Sequence, residues 1–97
     1  MATYIVLGSF TDQGIRSVKD SLKRREAVKA MAKKCGVTMK ETYWCLGAHD
    51  LVAIFDAPDD ASMTALGLSI GKLGNVRTQT MRAFTAEDIK GILGKVV

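Results

Sequence analysis

The segment Gly47–Asp60, GAHDLVAIFDAPDD, holds a turn, a strand and the start of a helix in direct succession. Gly47 opens the turn, Leu51 to Phe55 form an unbroken apolar run, and Pro58 with Asp59 halts the strand and begins a helix. The run has no polar face, so a strand made from it needs cover on both sides. In a chain of 97 residues a single copy does not supply both covers, and self-association is the expectation.

Upstream, Thr3 to Phe10 reads as a first strand, with Tyr4, Val6 and Phe10 on one face and Ile5 and Leu7 on the other. Both of its faces are apolar too. Thr11 or Asp12 can cap the helix that follows, whose first apolar positions are Ile15, Val18 and Leu22. Val28, Met31, Ala32 and Cys35 then recur at helical spacing, but at about 100° per residue they point roughly 140 to 180° away from the first group. One straight helix cannot bury both groups against one sheet. The spacing therefore predicts a break near Asp20 and Ser21, with Ser21 capping a second helix that runs to Lys34 and stops at Gly36.

Val37 to Leu46 reads as the second strand, with Met39, Glu41, Tyr43 and Cys45 on one face and Lys40, Thr42, Trp44 and Leu46 on the other. After the Leu51 strand, Asp59 and Asp60 place favourable charge at a helix N-terminus, Gly74 ends that helix, and Met63, Leu66, Ile70 and Leu73 form its buried stripe. The opposite side carries small residues, which fits either the chain's own tail or a subunit contact. Val76 to Phe84 makes the fourth strand, and Thr85 caps a short helix over Glu87 to Leu93. The order is the split βαβ arrangement: an α+β, ferredoxin-like βαββαβ fold with a short C-terminal helix, a four-stranded antiparallel sheet and helices on one face. Strands one and three are the central pair in this order. The open sheet face is expected to meet a second copy, giving face-to-face sheets or a shared barrel.

Composition bounds the rest. The length fits one domain over residues 1–97. Apolar residues at 47% and charged residues at 25% describe a globular chain and exclude a disordered one. The apolar runs are too short to span a bilayer, and Met1 to Phe10 lacks a basic start and a cleavage site, so a cytoplasmic location without membrane attachment is expected. Cys35 and Cys45 fit a reducing compartment, where a free thiol behaves as a small hydrophobe. The net charge of +4 is uneven, with most of the excess between Arg16 and Lys34. Those cations alternate with Asp20 and Glu26 and lack interleaved aromatics, so they read as a solvated helix face and argue against nucleic-acid binding.

Two blocks resemble a known family: the turn and APDD junction of Gly47–Asp60, and Gly74–Phe84, GNVRTQTMRAF. They resemble the GYD domain, a small bacterial domain grouped with the dimeric α+β barrel proteins, and the resemblance extends over nearly the whole chain. Gly47 and Asp50 keep two of the family's naming residues, whereas His49 stands where the tyrosine is expected. The resemblance implies a fold and a dimer. It implies no activity, because the family has none generally established and no catalytic motif of the related barrels is matched here.

The candidates for chemistry are few. His49 is the only histidine and Asp50 lies beside it, which makes them the residues to consider for proton transfer, against the plainer roles of a turn histidine and a carboxylate accepting backbone N–H bonds. Cys45, His49 and Cys35 lack the paired spacing of metal ligands, and neither a metal nor a cofactor is expected. Tyr43 and Trp44 are candidates to line a ligand pocket, while Phe10 and Phe55 read as core. Arg77 and Arg82 lie an odd number apart and project to opposite faces, so one should face inward or towards a partner, where a buried arginine would meet Asp50, Asp56 or a ligand anion. The resulting expectation is a homodimer or higher even oligomer that binds a small organic molecule or serves a regulatory role. The alternative is a cofactor-independent monooxygenase or isomerase acting on an aromatic or polyketide-like substrate.

Overall fold

The computed structural model describes all 97 residues. Four strands, β1 (Ala2–Phe10), β2 (Thr38–Trp44), β3 (Leu51–Ala57) and β4 (Val76–Ala83), form one antiparallel sheet in the order β2-β3-β1-β4. Helices α1 (Asp12–Arg16), α2 (Ser21–Lys34), α3 (Asp60–Gly71) and α4 (Ala86–Leu93) complete an α+β ferredoxin-like fold. The two strands with apolar residues on both faces, β1 and β3, are the central pair of the sheet. None of the helices is long and apolar enough to cross a membrane.

The helix boundaries follow side-chain capping. The Gly14 N–H donates to Thr11 Oγ1 at 3.0 Å, the Ser62 N–H donates to Asp59 Oδ1 at 2.8 Å, and Thr85 and Asp88 exchange bonds at 3.0 and 3.1 Å in a complete capping box. The break in the first helical region lies where the phase change requires it, as a short 3₁₀ turn over Val18–Asp20. Ser21 starts α2 without capping it: its hydroxyl donates back to the Val18 carbonyl at 2.6 Å. Gly36 follows the last turn of α2 at φ 74°, a left-handed value that glycine takes without strain.

Only the second apolar group of this region meets the sheet. Ala32 is fully buried with Val28, Met31 and Cys35 packed beside it, whereas Ile15, Val18 and Leu22 are exposed. On α3, Met63, Leu66 and Ile70 are buried, and Leu73, just past the helix end, is exposed. These residues close a core with Tyr4, Val6, Val37, Phe55 and Ala57. The C-terminal helix α4 makes only sparse contact with the other elements, so the small-residue side of α3 is not covered by the tail.

In β2 the simple alternation expected from sequence fails. Met39 pairs with Phe55, yet Glu41 pairs with Ile54, the very next residue of β3, so Lys40 is an extra residue in a β-bulge. Met39 therefore joins Thr42 and Trp44 on the helix side, while Lys40, Glu41 and Tyr43 face the other way. Lys40 Nζ lies 3.7 Å from Asp56 on that open face, an ion pair in keeping with its placement.

Candidate functional site

Between the sheet and the first half of α2 lies an apolar cavity of about 140 Å³. Its floor includes Gly8 and Ala53 on the central strands, residues too small to fill the space beneath Ala27 and Val28. Phe10, Trp44 and Phe55 contribute rings to the walls, and the end of α3 closes one side with Ile70 and Leu73. Nearly all the surface it presents is carbon. Polar groups stand around it on Ser21, Thr42, Asn75 and Thr78, with Arg24 and Arg25 from α2, and no lining residue is acidic.

The rim is held by contacts between α1 and the α3–β4 turn. The Thr11 N–H donates to the Asn75 carbonyl at 3.1 Å, and Gln13 Nε2 donates to the Leu73 carbonyl and to Asn75 Oδ1, each at 3.1 Å. Arg24 Nη2 donates to the carbonyls of Gly14 at 2.9 Å and Ser17 at 2.7 Å, which anchors the guanidinium at the end of α1. Arg25 is paired with Glu26 at 3.1 Å on the exposed side of the helix.

The residues singled out from sequence are dispersed. Trp44 lines the cavity; Tyr43, its neighbour, pairs with Val52 on the open face and is exposed. The Glu41 carboxylate, on the same open face, raises the Tyr43 phenol pKa. Asp50 is built into the frame: its Oδ2 accepts the Phe10 N–H at 2.9 Å, its N–H donates to the Gly8 carbonyl at 2.9 Å, and its carbonyl accepts the Cys45 N–H at 2.8 Å. His49 sits half-buried in the same turn, makes no hydrogen bond with Asp50, and does not line the cavity. No group of three or more His, Cys, Asp or Glu side chains is placed to hold a metal ion.

Arg77 and Arg82 do project to opposite faces, paired across to Ser9 and Tyr4 of β1. Both lie on the edge strand β4, exposed and without an ion pair in the chain. Arg82 instead covers two rings, 5.6 Å from the Tyr4 centroid and 4.4 Å from that of Phe84. It borders an open polar groove between α3 and β4, where the Tyr4 phenol donates to the Asp60 carboxylate. That bond is the main cause of a raised Tyr4 pKa.

The GYD domain model matches residues 4–93. The chain belongs to the GYD domain family. The match takes in both the turn block and the β4 block, and every element of this GYD domain except the two ends of the chain. No curated protein matches the chain.

Arg24 is the residue of this GYD domain that sequence reading passed over, as one cation among several on a solvated face. The signal was present in the spacing. Position 24 extends the buried stripe of Val28, Met31, Ala32 and Cys35 back by one turn, so its side chain belongs to the sheet-facing side of α2.

Proposed function

We propose that this domain binds a small, largely apolar organic molecule between its sheet and α2, and that it works as a homo-oligomer joined through the open face of the sheet. The apolar cavity of about 140 Å³ carries the first part. A sealed apolar cavity of about 150 Å³ takes up benzene, and this half-open cleft of similar volume has room for a group of that size. Walls of aromatic and aliphatic carbon with a few polar groups at the edge are the usual make-up of such sites.

The second part rests on the pairing of β1 with its neighbours. Ile5 lies opposite Ile54 and Met81, and Leu7 opposite Val52, which sets a continuous apolar patch on the side that carries no helix. An identical patch on a second copy offers a self-complementary cover of the kind two-fold dimers use. The uncovered apolar side of α4, with Ile89 and Leu93 exposed, adds to the surface available for that contact.

Binding fits the site better than turnover. The cavity lining contains no His, Asp, Glu, Tyr or Cys, the side chains that most often exchange a proton with a substrate at neutral pH. The experiment is a titration with toluene followed by the fluorescence of Trp44, the only tryptophan, alongside native mass spectrometry. Saturable quenching that Ala53→Leu abolishes, and an even oligomer that Ile54→Lys converts to monomer, are expected. A flat titration and a monomeric wild type would overturn the two parts in turn.

A further inference from the structure

Arg24 stands beside the cavity with one end of its guanidinium committed and the other unspent. Nη2 serves the Gly14 and Ser17 carbonyls, at 2.9 and 2.7 Å, while Nη1 is buried with no hydrogen-bond partner in the protein. No carboxylate lies within ion-pair distance of it, because the two ion pairs of the chain are Arg25–Glu26 and Lys40–Asp56. Buried donors are almost always satisfied, and a charged one left single is expensive. The remaining lining offers no anion either, since it contains no Asp or Glu.

From this we infer that the molecule held in the cavity is an organic monocarboxylate, with its ring or short chain among Phe10, Trp44 and Phe55 and its carboxylate on the Arg24 guanidinium. The inference rests on the cavity being a binding site and names what that site selects. A guanidinium N–H is a charge-assisted donor well suited to a carboxylate oxygen, and with Nη2 committed to the Gly14 and Ser17 carbonyls the donor left for it is Nη1. Nη1 is covered in the free chain, so entry of the carboxylate requires the Arg24 head to turn and present it, at some expense to the Nη2 carbonyl bonds.

The test compares benzoate with benzyl alcohol, which has the same ring and no charge, by Trp44 fluorescence in wild type, Arg24→Lys and Arg24→Met. Wild type is expected to bind benzoate about tenfold or more tightly than the alcohol, the scale of a charge-assisted hydrogen bond. Arg24→Met should bring the two ligands level, and Arg24→Lys should retain part of the preference. Should Arg24→Met fail to fold after losing the Gly14 and Ser17 bonds, Arg24→Lys and the wild-type ratio decide. Equal binding of the two ligands by wild type, or a benzoate preference that neither variant reduces, would overturn the assignment to Arg24 and leave the cavity as a neutral-ligand site. Binding of neither ligand would remove the cavity reading itself.

Discussion

Gly14 rests directly on the main chain of Asn75: a Cβ at position 14 would lie 1.8 Å from the Asn75 carbonyl oxygen. Both partners are backbone, so no side chain can swing aside. That contact joins α1 to the α3–β4 turn at the rim of the cavity, where Asn75 is also a lining residue. Gly14→Ala is therefore expected to destabilise the domain by about 3 kcal/mol, near the upper end of overpacking costs. Urea denaturation measures it, and an unchanged midpoint would show that the close approach is not maintained in solution.

Asp50 and His49 are adjacent in the β2–β3 turn and should respond to truncation very unequally. Asp50→Ala leaves the Phe10 N–H without its carboxylate acceptor, at a cost of about 1–3 kcal/mol. Asp50→Asn keeps an acceptor oxygen and should cost less than half of that. His49→Ala removes no hydrogen bond and should stay within about 0.5 kcal/mol of wild type. A larger loss at His49 than at Asp50 in thermal unfolding would contradict the assignment of the frame to the carboxylate.

The acid limb of the stability curve should depend on the two capping aspartates. Asp59 is held below the usual carboxylate range by the Ser62 N–H, and Asp88 by the Thr85 N–H. Unfolded aspartate titrates near about 3.9, so this stabilisation is complete above that pH and is lost as pH falls through the lower folded values. Asp59→Asn retains a cap that does not titrate, and its melting temperature should fall less steeply between pH 5 and pH 2. Parallel curves for variant and wild type would remove the linkage.

At the alkaline end the sign reverses for Tyr4. Its bond to Asp60 raises the phenol pKa, so the stabilisation is present below the unfolded value of about 10 and disappears as pH rises through the higher folded one. Tyr4→Phe should flatten the decline in melting temperature above pH 10. An equally steep decline in the variant would place its cause elsewhere.

Lys40 is the added residue of the β2 bulge, and its deletion should leave the domain folded. Met39 would stay on the helix side and Glu41 on the open face, with regular alternation restored and only the exposed Lys40–Asp56 pair lost, a cost of about 0–1 kcal/mol. Deleting Thr42 instead would exchange the faces of Tyr43 and Trp44. Trp44 emission should be preserved in the first variant and shifted to the red in the second. The reverse pattern would show that the register is set differently.

The order of elements and the caps at Thr11, Asp59 and Thr85 were legible in the sequence alone, because each depends on residues within a few positions of one another, and the central place of β1 and β3 followed from that order and from their apolar faces. Spacing, cap chemistry and the run from Leu51 to Phe55 are local properties. The β2 alternation was not legible: the bulge at Lys40 is fixed by which residue of β3 lies opposite, a pairing between distant segments. Nor was the exposure of Ile15, Val18 and Leu22, since the apolar pattern says that a group wants cover and not whether the sheet extends far enough to provide it. The site belongs to the same class. Sequence placed Trp44 among its candidates, but the small floor at Gly8 and Ala53, the α2 roof and the buried Nη1 of Arg24 meet only when four strands and a helix are assembled. Local spacing determined the parts and their order; the long-range packing of one helix on the sheet decided where space was left and which charge faces it.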